Sequence, residues 1–491
     1  MADENYDLII RNAVIIDGTR APRFEGEIGV RNGRIAKVGR LDKAHAEREI
    51  DAGGKIVSPG FIDAHTHDDR LLLSSPDMSA KVSQGVTTVV SGNCGISLAP
   101  MTHSSGPVAP PLDLLDDTGK WYRFPTFAAY FEELASKPAA TNFAAMIGHS
   151  TLRVMNMDDL GRPASAAEIA RMRSQAHEAM ASGAIGVSTG TFYEPASAAT
   201  TEEIVDICRP LSEFNGLYVT HMRNEAEKVI EALDETFRIG RELGVKVVIS
   251  HHKVAGIANH GRSKETLARI SSQMEKQPIG LDCYPYCASS TILTWSRVGA
   301  ASKVLVTWSK PHPEFSGMDL SDVAAKMGLS QEAAVAKLLP AGAIYFAMDE
   351  KDVQRILAFD RTVIGSDGLP HDTAPHPRLW GTFPRVLGHY SRDLGLFPLE
   401  TAVHKMTGLT AATFGLPDRG VLKEGAFADI TIFDAGRVAE AATFAKPIQA
   451  AHGIDTVIVN GEAVWREGRP TGARPGRRVS RARNTTGAAA P

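Results

Sequence analysis

The stretch GFIDAHTHDD, residues 60–69, decides how the chain is read. An apolar, strand-like run (Ile56, Val57, Phe61, Ile62) ends abruptly in Asp63, His65, His67, Asp68 and Asp69. Side chains two apart on a strand share one side, so His65 and His67 converge on one point while Thr66 turns away. Two imidazoles placed in this way suit one metal ion. The same pair also occurs on loops that hold nothing, so the remainder of the chain has to decide.

Working outward, short apolar runs alternate with helical stretches, the pattern of parallel strands joined by crossover helices. The strand candidates are KIVSPGFIDAH, VTTVVSGNC, NFAAMIGH, AIGVSTG, LYVTHM, KVVISHH, IGLDCYPY and TVIGSDG. Eight such strands close a (β/α)8 barrel, a unit of about 250 residues. The expected fold class is therefore α/β, with a TIM-type barrel over residues 59–414. The ends of the chain read differently: YDLIIRNAVIID and GEIGVRNGRIAKVG near the start, and GAFADITIFD and IDTVIVNGEAVW near the end, are β-rich and punctuated by Gly. They predict one small β-sandwich built from residues 1–58 and 415–470. Residues 288–345 break the rhythm between the seventh and eighth strands and predict an inserted, lid-like subdomain. The segment 471–491, rich in Arg, Gly and Pro, predicts a disordered tail.

Composition narrows the function. Of 491 residues, 43% are hydrophobic and 22% charged, as in a soluble globular protein. A formal charge of −4 gives no reason to expect nucleic acid or an anionic membrane as partner. No run of about 18 apolar residues occurs, and the start MADENYDLII is acidic where a secretory signal is basic. A cytoplasmic location is the expectation. Four cysteines are too few for a disulfide framework, and Cys283 and Cys287 lack the second pair that a structural zinc site needs. Neither G-x-x-x-x-G-K-[ST] nor G-x-G-x-x-G after a strand is present, which argues against nucleotide binding.

Polar residues gather at the strand ends: His65 and His67 after the first, Cys94 after the second, His149 after the third and His221 after the fifth. His251 and His252 follow the sixth, Tyr284 the seventh and Asp367 the eighth. Parallel barrel strands end on one face, where active sites of this fold lie. Imidazole together with thiolate suits zinc, with bonds near 2.0 to 2.3 Å, better than magnesium or calcium. Zinc lowers the pKa of bound water toward about 7. Asp367, in VIGSDGLPHD, suits both a metal ligand and a general base.

PGFIDAHTH, SHHK, GSDG and GLTAATFGLPDRGVLKEGAFADITIFD, in that order and spread over nearly the whole chain, resemble the amidohydrolase superfamily. SGNCGIS, GHSTLR, STGTFYEP, VTHMRNE, DCYPY and GSDGLPHDTAPHPR resemble more narrowly the N-acyl-D-amino acid deacylases. The resemblance implies zinc-dependent hydrolysis of the amide of an N-acyl-D-amino acid, a small-molecule substrate, with Asp367 as general acid and base. It implies a tightly held zinc on Cys94, His221 and His251, and a second, weaker position at His65, His67 and Asp367 that Cys94 bridges. Many relatives bridge two metals with a carboxylated lysine after the fourth strand. STGTFYEP has no lysine, so the cysteine-bridged arrangement is the consistent one.

The planar fork of Arg378 suits the substrate carboxylate. The resemblance adds Tyr284 and Lys253 to the same task, and Ser289 and Trp295 stand where they could shape an acyl pocket. Two other readings stay open: a cyclic-amide hydrolase of the dihydropyrimidinase or hydantoinase kind, against which the missing lysine counts, and a non-catalytic scaffold, against which the retained ligands count.

Overall fold

The computed structural model describes residues 5–41 and 44–481. Both chain ends enter a single nine-stranded sheet. Asn5–Ile15 pairs with Phe24–Arg31, His45–Asp51 and Ile56–Pro59, and Ile56–Pro59 pairs in turn with Ile430–Phe433, followed by Ile454–Val459 and Glu462–Arg466. Alternate residues Leu8, Ile10, Val57, Ile430, Ile432 and Ile458 form one apolar cluster on its buried side. The union of the two ends is a direct seam, with Val57 opposite Ile432.

The run KIVSPGFIDAH is two strands, and its reading as one requires correction. Ile56–Pro59 belongs to the antiparallel sheet and Phe61–Asp63 pairs in parallel with Val86–Ser91. Gly60 makes the crossing, because a Cβ there would stand 2.2 Å from the Thr87 side chain. Its N–H donates to Asp429 O at 2.8 Å, while the next N–H, of Phe61, donates to Gly85 O at 2.9 Å. One peptide thus serves each sheet.

From Phe61–Asp63 the parallel strands follow in chain order. Val86–Ser91 pairs with Asn142–Ala145, and Ile147–Gly148 with Gly186–Gly190. Leu217–His221, Lys246–Ile249, Ile279–Cys283 and Thr362–Ile364 then pair each with the one before. The last also meets the first: Ala64 N donates to Ile364 O at 3.2 Å, and Thr66 and Gly368 form a parallel bridge. Helices separate the strands. Ala166–Ser182, for instance, starts in a capping box of Ser165 and Glu168, buries Met172, Ala176 and Ala179, and stops at Gly183 with φ 108°.

Residues 288–346 form a three-stranded antiparallel sheet of Ala288–Ile292, Ala341–Phe346 and Val304–Ser309 with two helices, Leu320–Met327 and Gln331–Leu338. Val306, Leu320, Val323, Val335 and Leu338 give it its own apolar core. The predicted disorder of 471–491 does not hold over residues 471–481. Val479 N donates to Phe143 O at 2.7 Å and Phe143 N to Arg477 O at 3.1 Å. Arg478 and Arg481 donate to Ser182 O, Asn215 O and Phe414 O. Ser182 and Phe414 end helices, whose last carbonyls otherwise lack partners. The arginines that suggest a solvated tail are spent on capping. Residues 482–491 lie outside the described residues. Among the described residues no helix is long and apolar enough to cross a membrane.

Candidate metal centre and active site

Alternation after the first strand acts as the sequence predicts. Thr66 turns away and pins itself to Val90 O through both N–H and hydroxyl at 3.0 Å, leaving His65 and His67 to face the strand ends. Cys94, His251 and Asp367 arrive from turns after the second, sixth and eighth strands, with φ of 55°, 34° and 49°. Left-handed backbone costs residues with a Cβ about 1 to 3 kcal/mol each and clusters at functional sites. Here it aims three side chains at one point.

The Cys94 Sγ is 3.3 Å from His65 Nε2 and 3.3 Å from His251 Nε2. His251 Nε2 is 3.0 Å from His221 Nδ1. Asp367 Oδ1 is 3.3 Å from His67 Nε2 and 3.5 Å from His65 Nε2. Donor atoms of His65, Cys94, His251 and Asp367 lie within 4.8 Å of one another, as do those of His221, Glu225 and His251. His251 belongs to both groups. Cys94 therefore sits with His65 and Asp367 and reaches the His221 group through His251.

These residues fit a divalent cation. Ligands of a tetrahedral ion with bonds of 2.0 to 2.3 Å stand roughly 3.3 to 3.8 Å apart, close to the spacings of sulfur and imidazole nitrogen here. Burial strips the proton from the imidazoles, lowering His65 to about 3, His221 well below its usual value and His251 also below it. Neutral rings present lone pairs. Burial raises the Cys94 thiol well above its usual range, and a cation is what would make it a thiolate. For Asp367 burial opposes the charge, but Arg378, with His251 and His65, outweighs it and holds the carboxyl well below the carboxylate range.

Around the donors stands a shell that sequence reasoning missed. Asp282 on the seventh strand accepts from His251 N at 2.8 Å and lies 3.4 Å from His65 Nδ1. The fully buried Lys81 ammonium meets Asp63 at 2.9 Å, Ser366 Oγ at 2.9 Å and Asp68 at 3.3 Å, tying the end of the first strand to the end of the eighth. Glu225 meets His251 Nδ1 at 3.0 Å and His221 Nε2 at 3.5 Å. Its position four residues after His221 in HMRNE was a visible signal; Lys81 carried none.

Of the other predicted residues, Lys253 donates to Glu225 at 2.8 Å, lies 2.8 Å from His251 Nδ1 and sits 5.6 Å from the Tyr284 ring centroid. Arg378 is fully buried, 2.8 Å from Asp367 Oδ2, bonded to Ser290 O and 4.6 Å over Tyr284. Its Nε, the Tyr284 hydroxyl and the hydroxyls of Ser289 and Ser290 have no hydrogen-bond partner among the described residues. Lys253, Tyr284, Ser289, Ser290 and Asp367 line one cavity with His67, His221 and His251. His252 turns away to Thr266, and His149 faces Glu203 at 3.8 Å, so neither strand-end histidine joins the cluster. Trp295, half exposed, lies outside the cavity lining. All four cysteines are free.

The chain matches the Amidohydrolase family over residues 48–278 and 319–465. It is 59% identical over 476 residues to a D-aminoacylase of Alcaligenes xylosoxydans xylosoxydans, covering 97% of this chain and 98% of that one. A solved D-aminoacylase described with a binuclear metal centre, activated by one metal and attenuated by a second, superposes with a TM-score of 0.94 at 59% identity, covering 97% of this chain and all of that one (100%). An N-acyl-D-glutamate deacylase of Bordetella bronchiseptica, solved with zinc and a phosphonate mimic of the tetrahedral intermediate, gives 0.93 at 46% identity over 98% of this chain and 100% of that one. The family match, the near full-length identity and the buried donor cluster agree, and the chain belongs to the amidohydrolase family and, within it, to the N-acyl-D-amino acid deacylases.

Proposed function

We propose that the protein is a zinc-dependent deacylase that cleaves the amide of N-acyl-D-amino acids at the mouth of a (β/α)8 barrel. The barrel reading is supported by the hydrogen bonds that link each parallel strand to the next and the eighth to the first. In this reading residues 1–58 and 415–470 form the β-sandwich domain, 59–414 the barrel and 288–345 a lid-like insertion, which contributes Ser289 and Ser290 to the cavity wall.

The observation that carries the function is one cavity lined by metal donors and by the partnerless hydroxyls of Tyr284, Ser289 and Ser290, with the buried Arg378 stacked behind Tyr284. Cys94, His221 and His251 would hold the tight zinc, with His65, His67 and Asp367 as the weaker second position bridged by Cys94. When bound, zinc supplies Lewis-acid polarisation of the acyl carbonyl and acidifies water. Arg378 receives the substrate's α-carboxylate with its partnerless Nε, and the Tyr284 hydroxyl donates beside it. Lys253 adds a second positive charge to that wall. Asp367, kept ionised by Arg378, takes the proton of the attacking water and passes it to the departing nitrogen. The C–N bond breaks, and a carboxylic acid and a free D-amino acid leave.

The test is zinc content measured together with amino acid release from N-acetyl-D-methionine and N-acetyl-L-methionine, with N-acetyl-D-glutamate added. The acidic substrate belongs in the panel because Arg297 lines the cavity without a carboxylate partner among the described residues. About one zinc per chain with D-selective release supports the reading. Zinc with cleavage only of cyclic amides would replace it with the hydantoinase-like reading, and neither zinc nor turnover with the scaffold.

A further inference from the structure

Residues 434–453 join Ile430–Phe433 to Ile454–Val459 of the nine-stranded sheet by a long excursion. Its base is closed: Asp434 N donates to Gly453 O at 2.9 Å, Ala439 N to His452 O at 3.3 Å and His452 N to Ala439 O at 2.9 Å. From there it lies along the helix Arg378–Arg385 and its π-helical continuation Val386–Asp393. Arg378, Gly381, Arg385, Gly388 and Arg392 in that helix follow the 3-4-3-4 spacing of one face. The glycines let the excursion come close. A Cβ at Gly381 would stand 3.2 Å from Glu440 Cβ, and one at Gly388 2.5 Å from Val438 O. The arginines then hold it: Arg392 donates to Ala435 O, Gly436 O and Val438 O at 3.3, 3.4 and 2.7 Å, and Arg385 pairs with Glu440.

Glu440 thereby reaches the surroundings of both Arg378 and Tyr284. Its Oε2 accepts from the Tyr286 hydroxyl at 2.8 Å, and its Oε1 takes Arg385, whose Nε donates to Pro285 O at 2.7 Å. Pro285 and Tyr286 directly follow Tyr284. The Arg385 guanidinium also lies 4.9 Å from the Tyr286 ring centroid. The rings of Tyr286 and Phe444, the latter from the same excursion, each meet His376 edge-on at 5.0 Å. His376 is fixed further by its Nε2–H, which donates to Ala288 O at 3.1 Å, and its Nδ1 accepts from Arg378 N at 3.0 Å. The start of the helix is set in this way, and with it the guanidinium that stacks 4.6 Å over Tyr284. Among the described residues, none of Glu440, Tyr286 and His376 bonds to a metal donor.

We propose that Glu440 is a positioning residue for substrate binding: it locks the turn of Tyr284, Pro285 and Tyr286 to the helix of Arg378, so that guanidinium and phenol keep the spacing a carboxylate requires. The inference rests on the deacylase reading, in which Arg378 and Tyr284 receive the substrate carboxylate. Recognition of a carboxylate by a planar fork depends on geometry, and a fork that shifts on its helix loses its bonds. The metal donors sit on strand-end turns that Glu440 does not reach, and they keep theirs. A salt bridge that served stability alone would lower Tm and leave affinity where it was. A positioning role shows as weaker binding, and only while Arg378 is present to be positioned.

The experiment measures KM and kcat for one N-acetyl-D-amino acid, Ki for the free D-amino acid, and zinc content. The proteins are the wild type, Glu440→Ala, Glu440→Gln, Tyr286→Phe, Arg378→Ala and the double variant Glu440→Ala with Arg378→Ala. Glu440→Ala is expected to raise KM and Ki together by about five- to tenfold, the range of one lost hydrogen bond, with kcat within about twofold and zinc unchanged. Glu440→Gln keeps an acceptor for Tyr286 and should bind at least about twofold more tightly than Glu440→Ala. Tyr286→Phe removes only the hydroxyl link, should raise KM at least about twofold, and decides the matter if Glu440→Ala does not fold. In the Arg378→Ala background the loss of Glu440 should add less than about twofold, because members of one network are not additive. Unchanged KM and Ki in Glu440→Ala, or in Tyr286→Phe where the former does not fold, overturn the positioning role and leave the deacylase standing. An equal rise with and without Arg378 does the same. Unchanged KM in Arg378→Ala removes the carboxylate clamp and the positioning role with it, and absence of turnover in the wild type removes the deacylase reading and both together.

Discussion

The nine-stranded sheet and the parallel strand that leads to the donor cluster lie a single residue apart at Gly60, yet sheet and cluster obey opposite rules. The sheet buries Leu8, Ile10, Val57, Ile432 and Ile458 on a regular alternation and asks nothing further of its neighbours. The cluster buries four imidazoles, a thiol, carboxylates and three cations (Lys81, Lys253 and Arg378), puts Cys94, His251 and Asp367 in left-handed backbone, and leaves polar atoms without partners. One region is stable on its own local chemistry; the other is held by its surroundings. Substitutions should separate the two as loss of activity on one side and loss of stability on the other.

The largest effect is expected from Asp367→Asn, which removes the proposed proton carrier and should cut kcat by about 10² to 10⁴ while circular dichroism keeps the wild-type shape. Near wild-type kcat in that variant would take Asp367 out of its role. Cys94→Ala should lose activity to a similar extent and also lose zinc on dialysis. Lys81→Met should lower stability and activity together, since it strands Asp63 and Asp68 without their buried cation. It should cost about 3 to 5 kcal/mol by denaturant unfolding, and kcat should fall as Ser366 and Asp367 loosen. A stable, active Lys81→Met would mean that the cluster does not depend on that shell. Ile432→Ala should cost about 2 to 4 kcal/mol of stability with kcat unchanged, and a change in kcat would erase the contrast. Arg378→Ala should raise KM by roughly 10- to 100-fold, the range of a lost charged hydrogen bond, so an unchanged KM would argue against a carboxylate clamp. The smallest effect is expected from Arg478→Ala, which removes one cap at Ser182 and one ring contact, about 1 kcal/mol or less.

What was legible in the sequence follows the same contrast. Alternation exposed the sheet strands, and strand-end position exposed His65, His67, Cys94, His221, His251 and Asp367, because both signals are local. Strand-end position alone could not tell His251 from His252: consecutive side chains leave a strand on opposite sides, and only the fold says which side is the mouth. Asp63, Lys81 and Ser366 meet from positions 18 and 285 residues apart, and no spacing rule links them. The segment 471–481 looked disordered because composition counts arginines without counting the helix carbonyls they can cap. Gly60 was read as part of a continuous strand because the apolar pattern runs through it, whereas the clash with Thr87 exists only in three dimensions.

The seam between Ile56–Pro59 and Ile430–Phe433 also matters while the chain is being made. Ribosomes add roughly 5 to 20 residues per second, so the second half of the seam emerges roughly 20 to 75 s after the first. Throughout that interval the nascent N-terminal strands carry an open, apolar edge of the kind that invites pairing with a foreign strand. For this protein, the speed of translation across the parallel strands sets how long that edge has to be shielded.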